Sequence, residues 1–178
     1  NSDLPSDDEE EPGDEPIVGG DKVGTLITSA PADGDVIVIG NGSNIMTSNA
    51  SGNKLAAEIA TVTDGTVPVT EAMAQLTVGI DANGYYTFTT ADGKYLTSGA
   101  TGNALSLEAT ANDYSLWTVT AATADTFYIK NVNAKYNGNV QSLEYYSGFT
   151  TYGHKDTAIY QMSLYEVSEA EEKVDGGV

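Results

Sequence analysis

The sequence contains no cysteine and no arginine, and it has a single histidine and seven lysines. Without cysteine there is no disulfide framework and no thiolate to act as nucleophile or metal ligand. The seven cations, Lys22, Lys54, Lys94, Lys130, Lys135, Lys155 and Lys173, stand against 26 acids, giving a net charge of −19. That balance argues against nucleic acid, whose phosphates call for Lys and Arg and whose guanines are read by arginine forks. Phosphate-bearing substrates, usually gripped by arginine, and anionic membrane surfaces are disfavoured on the same ground. No apolar run approaches the roughly 20 residues of a membrane-spanning helix. The chain opens on Asn1 with no signal-peptide pattern, and the expectation is a piece of a longer secreted or cell-surface protein.

Catalytic chemistry is equally short of parts. A Ser–His–Asp arrangement would have to pass through His154, and no G-x-S-x-G pattern surrounds any serine. One histidine and no cysteine leave too few ligands for a zinc site. Six acids of the central region, Asp33, Asp64, Asp81, Asp92, Asp113 and Asp125, sit in turn sequences, where turn chemistry accounts for them. Glu144, beside Tyr145 and Tyr146, and Asp156 are the acids with aromatic neighbours. No EF-hand loop is present, and the turns Asp33-Gly34-Asp35 and Ala111-Asn112-Asp113 are the candidates for a structural calcium ion. The expectation is a non-enzyme with no cofactor.

Charge is distributed unevenly. Residues 1–20 hold eight acids and three prolines, which reads as an extended, disordered acidic linker. Residues 169–178 hold four more acids and read as an acidic tail or a resumed linker. The stretch 21–168 keeps 14 acids and six lysines, a net charge of −8 that is ordinary for a soluble surface.

Between the acidic ends, period-two runs dominate: Asp35–Ile39, Tyr85–Thr89, Leu116–Thr120, Thr126–Lys130 and Met162–Val167. The breaks Asn41-Gly42, Asn83-Gly84, Asp92-Gly93 and Asn137-Gly138 are hairpin signals. Only Pro68 to Gln75 reads as a helical turn, with Thr70 as cap and Glu71 in the first turn. The fold class is therefore all-β, one domain over 21–168, as a barrel, sandwich or trefoil.

An internal repeat narrows the choice. Leu76 in Gln75-Leu76-Thr77-Val78, Trp117 in Leu116-Trp117-Thr118-Val119 and Met162 in Gln161-Met162-Ser163-Leu164 are spaced 41 and 45 residues apart. The first two open a series of an Asn/Asp-Gly or short break, an aromatic strand (Tyr85–Phe88, Phe127–Ile129), a Lys-Tyr pair (Lys94-Tyr95, Lys135-Tyr136) and a distal apolar strand. A weaker copy runs through Val36–Ile39, Asn44–Met46 and Lys54–Ala56. This pattern resembles the β-trefoil repeat over roughly residues 26–167, with a Greek-key barrel of another kind as the alternative. The same stretch is similar in texture to accessory modules of secreted multidomain enzymes and adhesins of gut Firmicutes, which implies an accessory role.

Eleven tyrosines are the informative presence. Glu144 to Tyr160 holds five aromatics in seventeen positions. Adjacent strand residues face opposite ways, so one ring of Tyr145-Tyr146, and one of Tyr85-Tyr86, is expected in solvent. Gly148, Phe149, Tyr152 and Gly153 read as a flexible, ring-bearing loop. Exposed rings stack on the C–H face of a sugar while amides and carboxylates bind its hydroxyls. The expected site is Glu144, Tyr145, Tyr146, Phe149, Tyr152, His154 and Lys155, with Asn137, Asn139 and Gln141 as neighbours. The expected partner is a glycan, bound by a monomeric module of a longer chain. The rival reading is a docking or spacer domain of an adhesin that meets a host or surface protein and takes no small ligand. Trp117, Phe127, Phe88 and Tyr165 are read as core.

Overall fold

The computed structural model describes residues 21–169, so the readings made for residues 1–20 and 170–178 lie outside the described residues. Glu169, assigned to the tail, is instead the last residue of the final strand. The strands are β1 (Lys22–Leu26), β2 (Val36–Asn41), β3 (Asn44–Ser51), β4 (Lys54–Ile59), β5 (Thr66–Val69), β6 (Leu76–Ile80) and β7 (Tyr86–Thr89). They continue as β8 (Tyr95–Ser98), β9 (Leu105–Glu108), β10 (Trp117–Ala121), β11 (Phe127–Tyr136), β12 (Asn139–Tyr145), β13 (Phe149–Gly153) and β14 (Ser163–Glu169). Two short 3-10 turns, Asp113–Ser115 and Ala158–Tyr160, interrupt them.

Six strands close on themselves. The antiparallel pairs β6–β7, β10–β11 and β14–β2 are joined by β2–β6, by Trp117 opposite Tyr86, and by the bridge between Phe127 and Met162. The pairs are equivalent in register: Val78 opposes Phe88, Val119 opposes Ile129, and Leu164 opposes Ile39. Two positions before Val78, Val119 and Leu164 stand Leu76, Trp117 and Met162, the residues that mark the sequence repeat, and all three are fully buried. A hairpin follows each pair: β3–β4, β8–β9 and β12–β13. These contribute Met46, Leu96 and Leu143, then Leu55, Leu105 and Phe149, to the same core. Three four-stranded units around a closed barrel are the β-trefoil arrangement that the repeat predicts. Trp117, Phe88, Phe127 and Tyr165 are buried, as expected.

Two strands lie outside the repeat. β1 pairs with β14 on one side and β5 on the other, covering a second apolar cluster of Val38, Ile45, Val67, Met73 and Tyr165. Gly24 permits this layer to sit down, because a Cβ there would stand 2.8 Å from the Cβ of Tyr165. The helical turn expected over 68–75 is reduced to a single turn, closed by the Met73 N–H to the Thr70 carbonyl at 3.2 Å. Thr66–Val69 is strand β5, and Thr70 gives its hydroxyl to Glu58 at 2.7 Å instead of capping a helix. Pairing with β1 outweighs the local cap, and Pro68, which lacks an N–H, is tolerated on this outer strand.

The third unit departs from the other two. Ile39 to Met46 is seven residues and Phe88 to Leu96 eight, but Ile129 to Leu143 is fourteen. The extra chain lengthens β11 and β12 into a projecting hairpin. Asn131 manages the register break between Lys130 and Lys135: its Oδ1 accepts from the Ala134 N–H at 2.9 Å, and its amide donates to the Tyr114 carbonyl at 2.8 Å. The hairpin turns at Asn137-Gly138 with φ of 51° and 80°, the two left-handed positions that an Asn-Gly turn supplies.

Trp117 fills the barrel and its indole N–H donates to the Leu96 carbonyl at 3.0 Å. Trp117→Phe leaves a void and an unpaired carbonyl, and should cost about 2–4 kcal/mol in a urea unfolding curve.

Candidate functional site

In β12 and β13, Ser142 opposes Tyr152, Glu144 opposes Thr150 and Tyr145 opposes Phe149. Alternation turns Leu143 and Tyr145 toward the barrel and aims Ser142 and Glu144 the other way. That outer face is not open, because His154 and the 3-10 turn ending at Tyr160 fold over it. Ser142 is fully buried and Glu144 is 7% exposed.

Two adjoining grooves lie beside this layer. The first, about 730 Å³, runs between the projecting hairpin and the β8–β9 loop; Tyr136, Asn139, Gln141, Gly102 and His154 line it. The second, about 530 Å³, is lined by Lys54, Glu144, Tyr146, Thr150, Ile159 and Tyr160. Asn103, Tyr152 and Lys155 border both. The loop is held in place by Asn103 N–H to the Thr151 carbonyl at 2.6 Å and by Lys135 N–H to the Ala100 carbonyl at 3.0 Å. Gly102 must be glycine: its φ is +79°, and a Cβ would lie 1.9 Å from Gln141 Oε1. Three tyrosines stand out of the surface along the grooves, Tyr136 at 57%, Tyr146 at 66% and Tyr152 at 51% exposure.

The second groove carries the unusual electrostatics. Burial pushes the Glu144 carboxyl above its ordinary range, against the opposing pull of a hydrogen bond from Tyr160 and the charges of Lys54 and Lys155. Burial, aided by the neighbouring Glu144 charge, pushes the Tyr160 phenol up to about 12. Lys54 donates to the Tyr146 carbonyl and sits 5.2 Å above the Tyr146 ring, which fixes that ring at the rim. Thr150 is 1% exposed, and its hydroxyl has no hydrogen-bond partner among the described residues. That oxygen is itself buried, so the unpaired hydroxyl lies beneath the groove surface.

His154 joins Ser142 and Asp156 into a chain: Nδ1 lies 2.9 Å from Ser142 Oγ and Nε2 lies 2.8 Å from Asp156 Oδ1. The residue types match a hydrolytic triad, but the serine is fully buried and its hydroxyl cannot reach a substrate. The chain holds the ring instead, edge-on to Tyr128 at 4.6 Å and to Tyr160 at 5.7 Å.

Of the residues expected from the sequence, Glu144, Tyr146, Tyr152, His154 and Lys155 line the grooves, with Asn139 and Gln141 beside them. Phe149 does not: it is fully buried, because 149–153 is strand β13 rather than a flexible loop. Tyr145 turns inward and packs edge-on against Phe149 at 5.1 Å. Asn137 serves the hairpin turn. Tyr85 and Tyr86 are both half-buried, so neither ring stands free. The turns considered for calcium use their side chains on backbone N–H groups: Asp33 on Ile80, Asp35 on Ala32, and Asn112 on Tyr114. Sequence reading missed Asn103, Tyr136, Thr150 and Tyr160 as groove residues. For Tyr136 the signal was present, since Asn137-Gly138 places it at a hairpin tip.

No known family model matches the chain, and no curated protein matches it. Among solved structures it is similar to SeviL bound to asialo-GM1 saccharide, with 17% identity and a TM-score of 0.51, over 74% of this chain and 96% of that one. It is similar to the BEL beta-trefoil, at 11% identity and a TM-score of 0.57, over 80% and 99% of the two chains. A third likeness is to a GlcNAcα1-4Gal-releasing endo-β-galactosidase of Clostridium perfringens, at 15% identity and a TM-score of 0.54; it covers 74% of this chain but 32% of that enzyme. At such identities these matches establish the β-trefoil fold.

The raised Glu144 pKa carries a sign. The folded carboxyl holds its proton to higher pH than the unfolded one, so its contribution to stability is present at low pH. That contribution is lost as pH rises through the folded pKa. Glu144→Gln should therefore gain stability relative to the parent on going from about pH 4 to about pH 7, read as diverging melting temperatures.

Proposed function

We propose that this chain is a non-catalytic module that binds a glycan along the two grooves beside β12 and β13, as part of a secreted or cell-surface protein. The observation that carries this reading is the row of exposed rings, Tyr136, Tyr152 and Tyr146, above hydrogen-bonding groups in the groove walls. Flat rings cover the apolar C–H face of a pyranose. Asn103, Gln141, Glu144 and Lys155 supply the donors and acceptors that a sugar's hydroxyls require. Neither partner alone would discriminate; together they select a ligand that is apolar on one face and hydroxylated at its edges. The similarity to SeviL, solved with a saccharide bound, supports the same reading. Burial of Ser142 argues against hydrolysis through a serine nucleophile, and the arginine-free, acidic composition supports a neutral ligand over a phosphorylated one.

A glycan array probed with the full chain, with the asialo-GM1 saccharide among its spots, tests this directly. The expected result is retention on a restricted set of glycans that falls about tenfold or more in Tyr152→Ala, whose ring borders both grooves. Retention on no glycan would overturn the reading in favour of a protein-docking surface.

A further inference from the structure

We infer that the chain carries one glycan site on its trefoil core, centred on the third unit, and that this site is built for an oligosaccharide lying across Tyr152 rather than for a single sugar. The inference rests on the glycan reading and adds its valency and the length of its ligand. A three-fold fold offers three equivalent surfaces, so the question is which of them hold the site residues. Strand register answers it residue by residue. Leu143 opposite Thr151, Leu96 opposite Leu107 and Met46 opposite Ala57 are the matching pairs of the three hairpins. Tyr152 therefore corresponds to Glu108 in the second unit and to Glu58 in the first. Both carboxylates are already engaged, Glu108 by the Ser106 hydroxyl at 2.6 Å and Glu58 by the Thr70 hydroxyl at 2.7 Å.

Glu144 corresponds to Thr97 and Thr47, and these two hydroxyls donate to the carbonyls of Tyr95 at 2.8 Å and Ala56 at 2.7 Å. Thr150, with its free hydroxyl, corresponds to Ser106, which is bound to Glu108, and to Ala56, which has none. The projecting hairpin that raises Tyr136 is also missing from both units, whose strand-to-strand spans are seven and eight residues against fourteen. The first two units thus lack the central ring, the buried acid, the unsatisfied hydroxyl and the outer wall.

Length follows from the shared wall. Each groove alone, at about 730 and about 530 Å³, lies within the size range of a small-ligand site. They are not independent, because Tyr152 and Lys155 border both. A ligand stacked on Tyr152 can extend one way toward Tyr136 and Gln141 and the other way toward Tyr146 and Glu144. The second groove, with its buried acid, takes the end of the chain; Tyr136 supports the continuation.

Calorimetric titration of the full chain separates the outcomes, using the shortest glycan retained on the array and fragments of it shortened one sugar at a time. The expected stoichiometry is one per chain, with affinity falling about tenfold or more between the full glycan and its monosaccharide. Tyr136→Ala should weaken the full glycan several-fold and leave the monosaccharide unchanged, whereas Tyr152→Ala should weaken both. Two or three sites per chain, or an affinity independent of length, would overturn this inference while leaving the glycan reading standing. Array failure would overturn both. Unchanged melting temperatures of the two variants show that the losses are local.

Discussion

Closure of the six-stranded ring is the constraint on which everything else depends. A sheet closed on itself has no exposed edges, and its interior must be filled by side chains from every strand at matched heights. The bridge between Phe127 and Met162 completes the ring, joining β11 to the segment that leads into β14. Leu76, Trp117 and Met162 then occupy one set of equivalent positions, and Phe88, Ile129 and Ile39, opposite Val78, Val119 and Leu164, occupy another. Because these positions recur every unit, the spacing of apolar residues along the chain is fixed even where the residues differ. Leucine, tryptophan and methionine are interchangeable here only because each interior is shared with differently sized neighbours. The barrel thus enforces three-fold periodicity on its inside and none on its outside.

That freedom outside is where function enters. The second and third hairpins follow the same register, yet one ends in small, satisfied polar residues and the other in rings. Extending β11 and β12 by a few residues costs the barrel nothing, since the break in register at Asn131 is absorbed by hydrogen bonds of that one side chain. The extension gains a wall beside the β8–β9 loop, and Gly102 lets Gln141 approach the loop backbone closely. A site assembled this way draws residues from three separated stretches of chain, around Asn103, Tyr136 and Tyr152, held by backbone bonds between loop and strand. Rigid presentation of rings reduces the entropy lost when a ligand is bound.

The fold was legible because its signals are local and repeated. Period-two runs locate the strands, Asn-Gly pairs locate the hairpins, and the 41- and 45-residue spacings locate the barrel layers. The errors have physical causes that no local pattern carries. Thr70 and Glu71 form a plausible helix start, but β1 arrives from more than forty residues away and takes Thr66–Val69 as a strand. Phe149 sits between glycines and rings in sequence, which suggests a loop, but the pairing of Tyr145 with Phe149 puts it under the barrel. Asn103 and Thr150 had no aromatic or charged signature. Their place in the groove comes from tertiary contact, with the chain around Asn103 pinned to Thr151 and Thr150 set opposite Glu144.

The same reasoning explains why a buried acid persists in a surface groove. A carboxylate removed from water is unfavourable unless its partners compensate, and Glu144 has a phenol and two lysines arranged around it. An apolar side chain there would pack against Tyr160 without that cost, so the acid is not retained for stability. What it supplies is a fixed acceptor in the groove wall, held opposite Thr150 in one paired rung of β12 and β13. The combination of an unfavourable acid and exposed rings within one groove is costly to the unbound protein, and on the glycan reading proposed above that cost is what binding would relieve.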